Sequence, residues 1–363
     1  MRTFRFAPLW ALAIALLSLA SCDKKEDKPA EGDTTVAQDK ENITNTFNQA
    51  VSCVATMKSG DFTQSAFKFM NLQAGEILDE AWVSDITEKL DDIMDLEGAI
   101  DNGRFDMAVI KGTYTWNHTT KTWVKSTVSG NQVVVLFPES KTATTNTYEL
   151  RLSEYTDAKY VIQGDDVYMP TSVKASLKKN NVEIMNVNSS SQYASSGFPA
   201  PISSRLSVLT APYTIIFDIS RVNDKTFAFT FELDNGSCGK TSFQTKTYFN
   251  HNDYENYFDG ESETSDLDLV EFKLAKNDLL AEVTFDVKKY NTFSDPTEAQ
   301  INSCVKATLS FKGFKIGDLQ LKEVNNNTEL FIVYKDGTSE NATKYIDPFI
   351  EDVKQVLRPQ LDL

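Results

Sequence analysis

Histidine is nearly absent from this chain, with two copies in 363 residues. His118 stands in Asn117-His118-Thr119-Thr120 and His251 in Asn250-His251-Asn252-Asp253, both turn-like sequences. A Ser-His-Asp triad or a zinc centre needs a histidine with placed partners on rigid elements, so both chemistries are disfavoured. Cysteine is scarce too: the four copies are Cys22, Cys53, Cys238 and Cys304, with no Cys-x-x-Cys and no metal-ligand spacing. No cofactor and no metal set is expected. Positive charge is in deficit, with 36 Lys and Arg against 52 Asp and Glu and a net charge of −16. Such a surface repels phosphate backbones, which argues against a nucleic-acid partner.

The N-terminus carries Arg2 and Arg5, an apolar run from Ala7 to Leu19, and then Leu19-Ala20-Ser21-Cys22. Cations followed by a short apolar stretch describe a secretory leader, and the stretch falls short of the roughly 20 residues that a membrane span needs. Small residues followed directly by cysteine resemble the lipobox of bacterial lipoproteins. The resemblance implies cleavage of residues 1–21, diacylation of the Cys22 thiol and acylation of the new amino group. Each buried methylene contributes about 0.8 kcal/mol, so two or three chains anchor firmly where one does not. Loss of Arg2 and Arg5 with the leader makes the remaining body more acidic still.

Residues 22–40 read as a tether. After Cys22 the stretch has no aromatic residue and no apolar period, so ordering it would cost more than it could bury. The cluster Asp23, Lys24, Lys25, Glu26 and Asp27 resembles the export signals of Bacteroidota surface lipoproteins, and Asp33-Thr34-Thr35 resembles the short O-glycosylation sequon of that group. Both are also read as plain solvated linker. The implied location is the outer membrane, lipid-anchored, on its periplasmic or cell-surface side.

A helical segment is predicted over residues 41–103. Ile43, Phe47, Ala50, Val51, Val54 and Met57 recur at helical spacing; Asp61 and Ser84 each offer a cap for a further helix. Over 104–363 the period becomes two, with about a dozen short strands, Asn, Gly, Asp and Pro turns and no clear helix between them. The connections are too short for parallel crossovers, so the sheet should be largely antiparallel. A closing helix is predicted at 347–357, with Asp347 as its cap, Pro348 at its first position and Pro359 as its stop. Val173, Lys174, Ala175, Leu177 and Ile184 recur 132 residues later as Val305, Lys306, Ala307, Leu309 and Ile316. Polar turns fall at Asn180-Asn181 and at Lys312-Gly313. One hairpin type used twice, in two related β halves, accounts for the echo; general alternation in amphipathic hairpins accounts for it as well. The predicted fold class is α+β, a large, mainly antiparallel, curved sheet assembly with an N-terminal helical layer and a C-terminal helix.

Once Cys22 carries lipid, three cysteines allow at most one disulfide. Cys238 and Cys304 share the strand-rich part and form the candidate pair; three buried thiols are the alternative. Gly236-Ser237-Cys238-Gly239-Lys240-Thr241 ends like a phosphate loop, but Asp234 replaces the first glycine and strand-like sequence follows, so it reads as a hairpin turn. Ser65-Ala66-Phe67-Lys68 matches Ser-x-x-Lys without the companion motifs of penicillin-binding enzymes. Asp253, Glu255, Asp259, Glu261, Glu263, Asp266 and Asp268 make an acidic stretch whose order departs from a calcium loop, and a solvated loop is the simpler reading.

Two aromatic groups are candidate ligand contacts. Tyr114, Trp116 and Trp123 share a face if the hairpin pairs Trp116 with Lys121, giving a stacking platform if exposed and ordinary core if buried. Tyr254 and Tyr257 lie among amides and carboxylates, as a sugar- or peptide-binding surface would place them.

These features predict a non-enzymatic, membrane-anchored envelope lipoprotein with a binding or structural role. A curved sheet with helices against its hollow side resembles, at the level of fold idea, LolA-like lipid carriers; a surface glycan- or peptide-binding module is the other reading. The anchor is tested by growing cells with a clickable fatty acid. The mature chain should take up the label, and Cys22→Ser should abolish it and leave the leader uncut. Undiminished labelling of the serine variant sinks the assignment.

Overall fold

The computed structural model describes residues 30–31 and 34–361, apart from 70–71, 74–75, 78–87, 92, 102, 141, 163, 196–197, 235, 255–265 and 326. Cys22, the leader, most of the tether, Ser84 and Tyr257 therefore lie outside the described residues. The chain divides into two compact units that interleave in sequence: one from the N-terminal stretch up to Thr56 together with Phe217–Val356, the other from Met57–Ile216 with Leu357–Leu363. This corrects the division into a helical segment at 41–103 and a β body after it. The cause is the first helix, α1 (Val36–Lys58), which buries Ile43, Phe47 and Ala50 against strands more than two hundred residues away in sequence.

Helix α1 begins at Val36 rather than at 41, because Thr35 and Gln38 form a capping box. The Gln38 N–H donates to Thr35 Oγ1 at 3.3 Å and the Thr35 N–H to Gln38 Oε1 at 2.8 Å, satisfying donors that a frayed end would leave free. The expected tether is accordingly shorter than 22–40.

In the unit centred on 57–216, helix α2 (Asp61–Phe69) starts at the expected acidic residue, and residues 88–91 and 93–94 are helical. A short helix, α3 (Met107–Ile110), precedes seven strands: β1 (Gly112–Asn117), β2 (Thr122–Ser126), β3 (Val133–Phe137), β4 (Tyr148–Ile162), β5 (Asp165–Lys179), β6 (Val182–Tyr193) and β7 (Pro201–Thr210). From β3 onward each pairs antiparallel with the next; β1 pairs antiparallel with β2 and parallel with β3. Strand β8 (Tyr213–Asn223) leads into the other unit.

That unit carries β9 (Thr226–Asp234), β10 (Lys240–Phe249), β11 (Leu267–Lys276), β12 (Leu279–Asp286), β13 (Val305–Phe311), β14 (Phe314–Val324), β15 (Asn327–Tyr334) and β16 (Ser339–Asn341), each antiparallel to the next. Two short helices, α4 (Val287–Tyr290) and α5 (Glu298–Cys304), interrupt the strands where none was predicted. A capping box from Thr297 and Gln300 starts α5. The last helix, α6, runs over Thr343–Leu361 and exceeds its predicted span at both ends. Asn341 Oδ1 accepts from the Thr343 N–H at 2.9 Å, so the start is fixed before Asp347 and Pro348 is internal. The chain is thus largely antiparallel β with helices at both ends of the described sequence, as the periodicity predicts.

The sequence echo is matched in geometry. Asn180 and Asn181 have φ of 50° and 65°, and Lys312 and Gly313 have 53° and 79°. Two consecutive positive φ values make the two-residue turn whose twist suits a tight hairpin. In each hairpin one residue is then left over. Leu177 pairs with Met185 and Lys178 with Glu183, leaving Ile184; Leu309 pairs with Gly317 and Ser310 with Lys315, leaving Ile316. Both extra isoleucines are buried, at 2% and 1% exposure. A bulge turns a side chain that strict alternation would send outward, and here it turns an isoleucine into the core both times. The bulge carbonyls are satisfied alike, Ile184 by the Ala211 N–H at 3.0 Å and Ile316 by the Lys335 N–H at 3.3 Å. The preceding strands match as well: Tyr148 lies opposite Lys179, and Leu279 opposite Phe311. One four-stranded block, β4–β7 and β12–β15, therefore occurs once in each unit.

Truncating either bulge isoleucine empties a closed site. Ile184→Ala and Ile316→Ala should each destabilise the protein by about 2–5 kcal/mol, read as a lowered midpoint in urea unfolding followed by circular dichroism. A cost under about 0.5 kcal/mol in both would show that the bulges are not core elements.

Candidate functional site

In the unit containing β9–β16, strand register sorts side chains onto two unlike faces. Phe229 lies opposite Thr245, and Phe231 opposite Phe243; the next pairs are Phe243 with Leu274 and Thr245 with Phe272, then Phe272 with Val283. Residues directly opposite share a face, so this face is dominated by phenylalanine and aliphatic side chains. The alternate residues include Glu232, Gln244, Lys246, Lys273 and Glu282, with Lys273 and Glu282 paired across strands at 3.1 Å.

Only part of the apolar face is closed. Helices α1 and α6 lay Ile43, Phe47, Ala50, Tyr345 and Phe349 over Leu274, Ala281, Leu309, Leu319 and Ile332, with the Phe47 and Phe349 rings 5.5 Å apart. Between helices and sheet a cavity of about 50 Å³ is lined by Phe47, Leu274, Leu309, Leu319, Ile332 and Tyr345, among others. Lys276 and Tyr345 bring the polar groups to its otherwise apolar lining. From Phe243, which packs against the closed cluster, the same face continues as a row of rings: Phe229 to Phe243 at 6.2 Å, Phe243 to Phe272 at 6.1 Å, and Phe217 to Phe231 at 5.1 Å. These rings are only half-buried, and Phe217 is 38% exposed.

Polar groups bound the closed part. At the end of β11 the Lys276 side chain is 1% exposed, and its ammonium donates to the Cys238 carbonyl at 2.9 Å and to Thr241 Oγ1 at 3.3 Å. Burial lowers its pKa from the ordinary lysine value, against the opposing field of Asp234. Beside Tyr345, the Glu340 carboxylate accepts from the hydroxyls of Tyr334 and Tyr345 and pairs with Lys40 at 2.9 Å and Lys344 at 3.2 Å. Burial alone would raise the Glu340 pKa, but these donors outweigh it and hold it at about 2. Tyr345 is pushed up to about 12 by burial and by the carboxylate beside it, and Tyr334 is raised for the same reasons. Buried Asp39 accepts from Thr34 Oγ1 at 2.7 Å and lies 3.4 Å from the Lys335 ammonium. Glu340 is therefore a permanent acceptor over the ordinary pH range, not a proton donor.

The sequence-selected aromatics lie elsewhere. Trp116 pairs with Trp123, not with Lys121, a shift of two that keeps Tyr114, Trp116 and Trp123 on one face. That face is closed. Tyr114 is 0% exposed with its hydroxyl donating to the Ile110 carbonyl at 2.6 Å, and the two indoles, 5.4 Å apart, pack with Met94, Met107 and Ile110. The stacking-platform reading is corrected to core. Tyr254 is buried too, its ring 5.2 Å from Phe227 and its hydroxyl donating to the Asp224 carbonyl, so it offers no open strip. Tyr257 and most of the acidic stretch fall outside the described residues.

The cysteine pairing is also corrected. Cys53 is bonded to Cys238, and Cys304 is a buried free thiol. Helix α1 brings Cys53 to the β9–β10 turn, whereas Cys304 closes α5. The Gly236–Thr241 stretch lies in that turn and leads into β10, with no helix to receive a phosphate. Ser65 accepts from the buried Tyr148 hydroxyl at 3.0 Å. His118 Nδ1 meets the Ala143 carbonyl at 2.9 Å, and His251 lies 3.5 Å from Asp266. Lys276 and Glu340 were missed in the sequence: charged residues at strand ends look solvated until a helix covers them. The phenylalanine alternation in Phe227-Ala228-Phe229-Thr230-Phe231 was the available signal for the open face.

Comparison with known proteins finds no matching family model, no matching curated protein and no matching solved structure.

Because Glu340 is held at about 2 in the folded chain against an ordinary 4.5, its stabilisation is present above pH 4.5 and is lost as pH falls toward 2. Glu340→Gln should destabilise the protein at neutral pH, by up to about 3 kcal/mol, and flatten the fall in Tm between about pH 5 and 2.5. Thermal scans of both proteins across that range check it; parallel curves would refute the role given to the carboxylate.

Proposed function

We propose that this protein is a lipid-anchored envelope protein that binds an apolar chain on the phenylalanine face of its β9–β12 strands. The observation that carries the reading is the half-covered row of rings running on from the closed apolar core. Monomeric proteins seldom leave contiguous apolar surface open without a use, and a shelf of aromatic rings suits a flexible acyl chain, which needs area and not a set of directed hydrogen bonds. The leader and Cys22 support placement at a membrane, where such chains are at hand. The reading is non-enzymatic, and it belongs to the lipid-carrier class rather than the glycan- or peptide-binding class, since the aromatics selected for the latter are buried or lie outside the described residues.

The test is saturable binding of cis-parinaric acid to the purified protein, followed by fluorescence. Wild-type protein should bind with micromolar affinity. Phe243→Glu and Phe272→Glu should each weaken binding at least about tenfold, the cost of placing a charge where the chain would lie. Exchanging an outer-face residue, Gln244→Glu, should leave it unchanged. No saturable signal in the wild type, or equal loss in all three variants, overturns the proposal.

A further inference from the structure

The Cys53–Cys238 disulfide has two unlike ends. Cys53 projects from α1 and is buried, at 8% exposure. Cys238 is half-buried in the β9–β10 turn, beside the exposed Gly236 and Ser237. An incoming sulfur therefore reaches Cys238 first. The second asymmetry is Lys276. Its ammonium lies 3.8 Å from Cys53 Sγ while bonded to the Cys238 carbonyl and to Thr241. No carboxylate among the described residues pairs with this buried cation; Asp234 acts on it only through space. A buried cation without a counter-ion is costly, and the position beside Cys53 is where a negative sulfur would relieve that cost.

We propose that Cys53–Cys238 is a thiol–disulfide exchange site of fixed polarity, whose substrate is a small thiol: the external thiolate attacks Cys238 Sγ, and Cys53 departs as a thiolate paired with Lys276. The attacking sulfur's electron pair forms the new S–S bond, and the pair of the broken bond leaves on Cys53 Sγ. A second thiol then attacks the mixed disulfide, releasing Cys238 as thiolate and the oxidised small-molecule disulfide. Two thiols are oxidised and one protein disulfide is reduced. Exchange runs faster when the leaving thiolate is the more stable one, and the adjacent ammonium supplies that stability at a buried position that would otherwise oppose it. The consequence is mechanical: exchange removes the covalent tie between α1, which continues into the N-terminal stretch, and the β9–β10 hairpin. What remains beside it includes the Asn277 Nδ2 to Gln49 Oε1 hydrogen bond at 2.8 Å.

The experiment treats the mature, detergent-solubilised protein with glutathione, quenches with acid, alkylates free thiols and maps the peptides by mass. Glutathione should be found on Cys238 and the alkyl group on Cys53, with the buried free thiol Cys304 mapped separately as a control. Lys276→Met should slow the first exchange about tenfold, and Lys276→Arg should recover most of the rate. Glutathione on Cys53, an even distribution, no exchange at all, or a wild-type rate in Lys276→Met overturns the proposal. If Lys276→Met does not fold, the adduct position in the wild type decides by itself.

Discussion

The constraint on which the β9–β16 unit depends is a mismatch of area. Its sheet presents one apolar face across many strands, while α1 and α6 cover only the part around Leu274, Leu309 and Ile332. Where helices lie on the sheet, each large side chain removed from water contributes roughly 1.5–3 kcal/mol, which is why Ile43, Phe47 and Phe349 fix both helices in place. Where they do not, Phe229, Phe231 and Phe272 stay half-open. The same alternation thus yields a closed core at one end and a half-open row of aromatic rings at the other, and the two differ in whether helices lie over the strands.

Two buried charges bound the closed part, and they are handled differently. Glu340 is surrounded by donors: two phenols and two ammoniums meet one carboxylate, so its ionised form is favoured despite burial. Lys276 is buried with acceptors but with no paired carboxylate among the described residues, so burial opposes its charged form. The first arrangement fastens the start of α1 and the start of α6 to the β15–β16 hairpin. The second sits where α1 is covalently held, at Cys53. Helix α1 is therefore secured at two places by different chemistry, one stable over the ordinary pH range and one that depends on the state of two sulfurs.

Much of this was legible in the sequence, and the misses share a cause. The switch from a helical period to alternation after residue 104, the inward residues of α1 and the positive-φ turns at Asn180-Asn181 and Lys312-Gly313 are local signals, and local signals were readable. The division into units was not, because only the packing of Ile43 and Phe47 on distant strands joins the N-terminal helix to residues 217–356. The disulfide was misassigned for the same reason: proximity in sequence favoured Cys304, whereas α1 delivers Cys53. For Tyr114, Trp116 and Trp123 parity was correctly read despite a two-residue error in register, since period two preserves the face. What parity cannot tell is which layer covers that face, and Met94 and Met107 cover it.

The repeated block sharpens the distinction between scaffold and site. Turn, bulge, buried isoleucine and satisfied bulge carbonyl are the same in β4–β7 and β12–β15, so these features specify the fold of the block and nothing more. What differs is the residue opposite the end of the hairpin's first strand. In one unit it is Tyr148, whose hydroxyl is occupied by Ser65 of α2; in the other it is Leu279, with Lys276 directly across from it. A tyrosine bound to a neutral hydroxyl closes that corner as inert core. A leucine beside a buried lysine leaves an apolar wall with a cation at its edge. The chemistry of this protein is therefore to be sought where the two copies disagree, and that argument leads to the β11–β12 corner independently of the exposed phenylalanines.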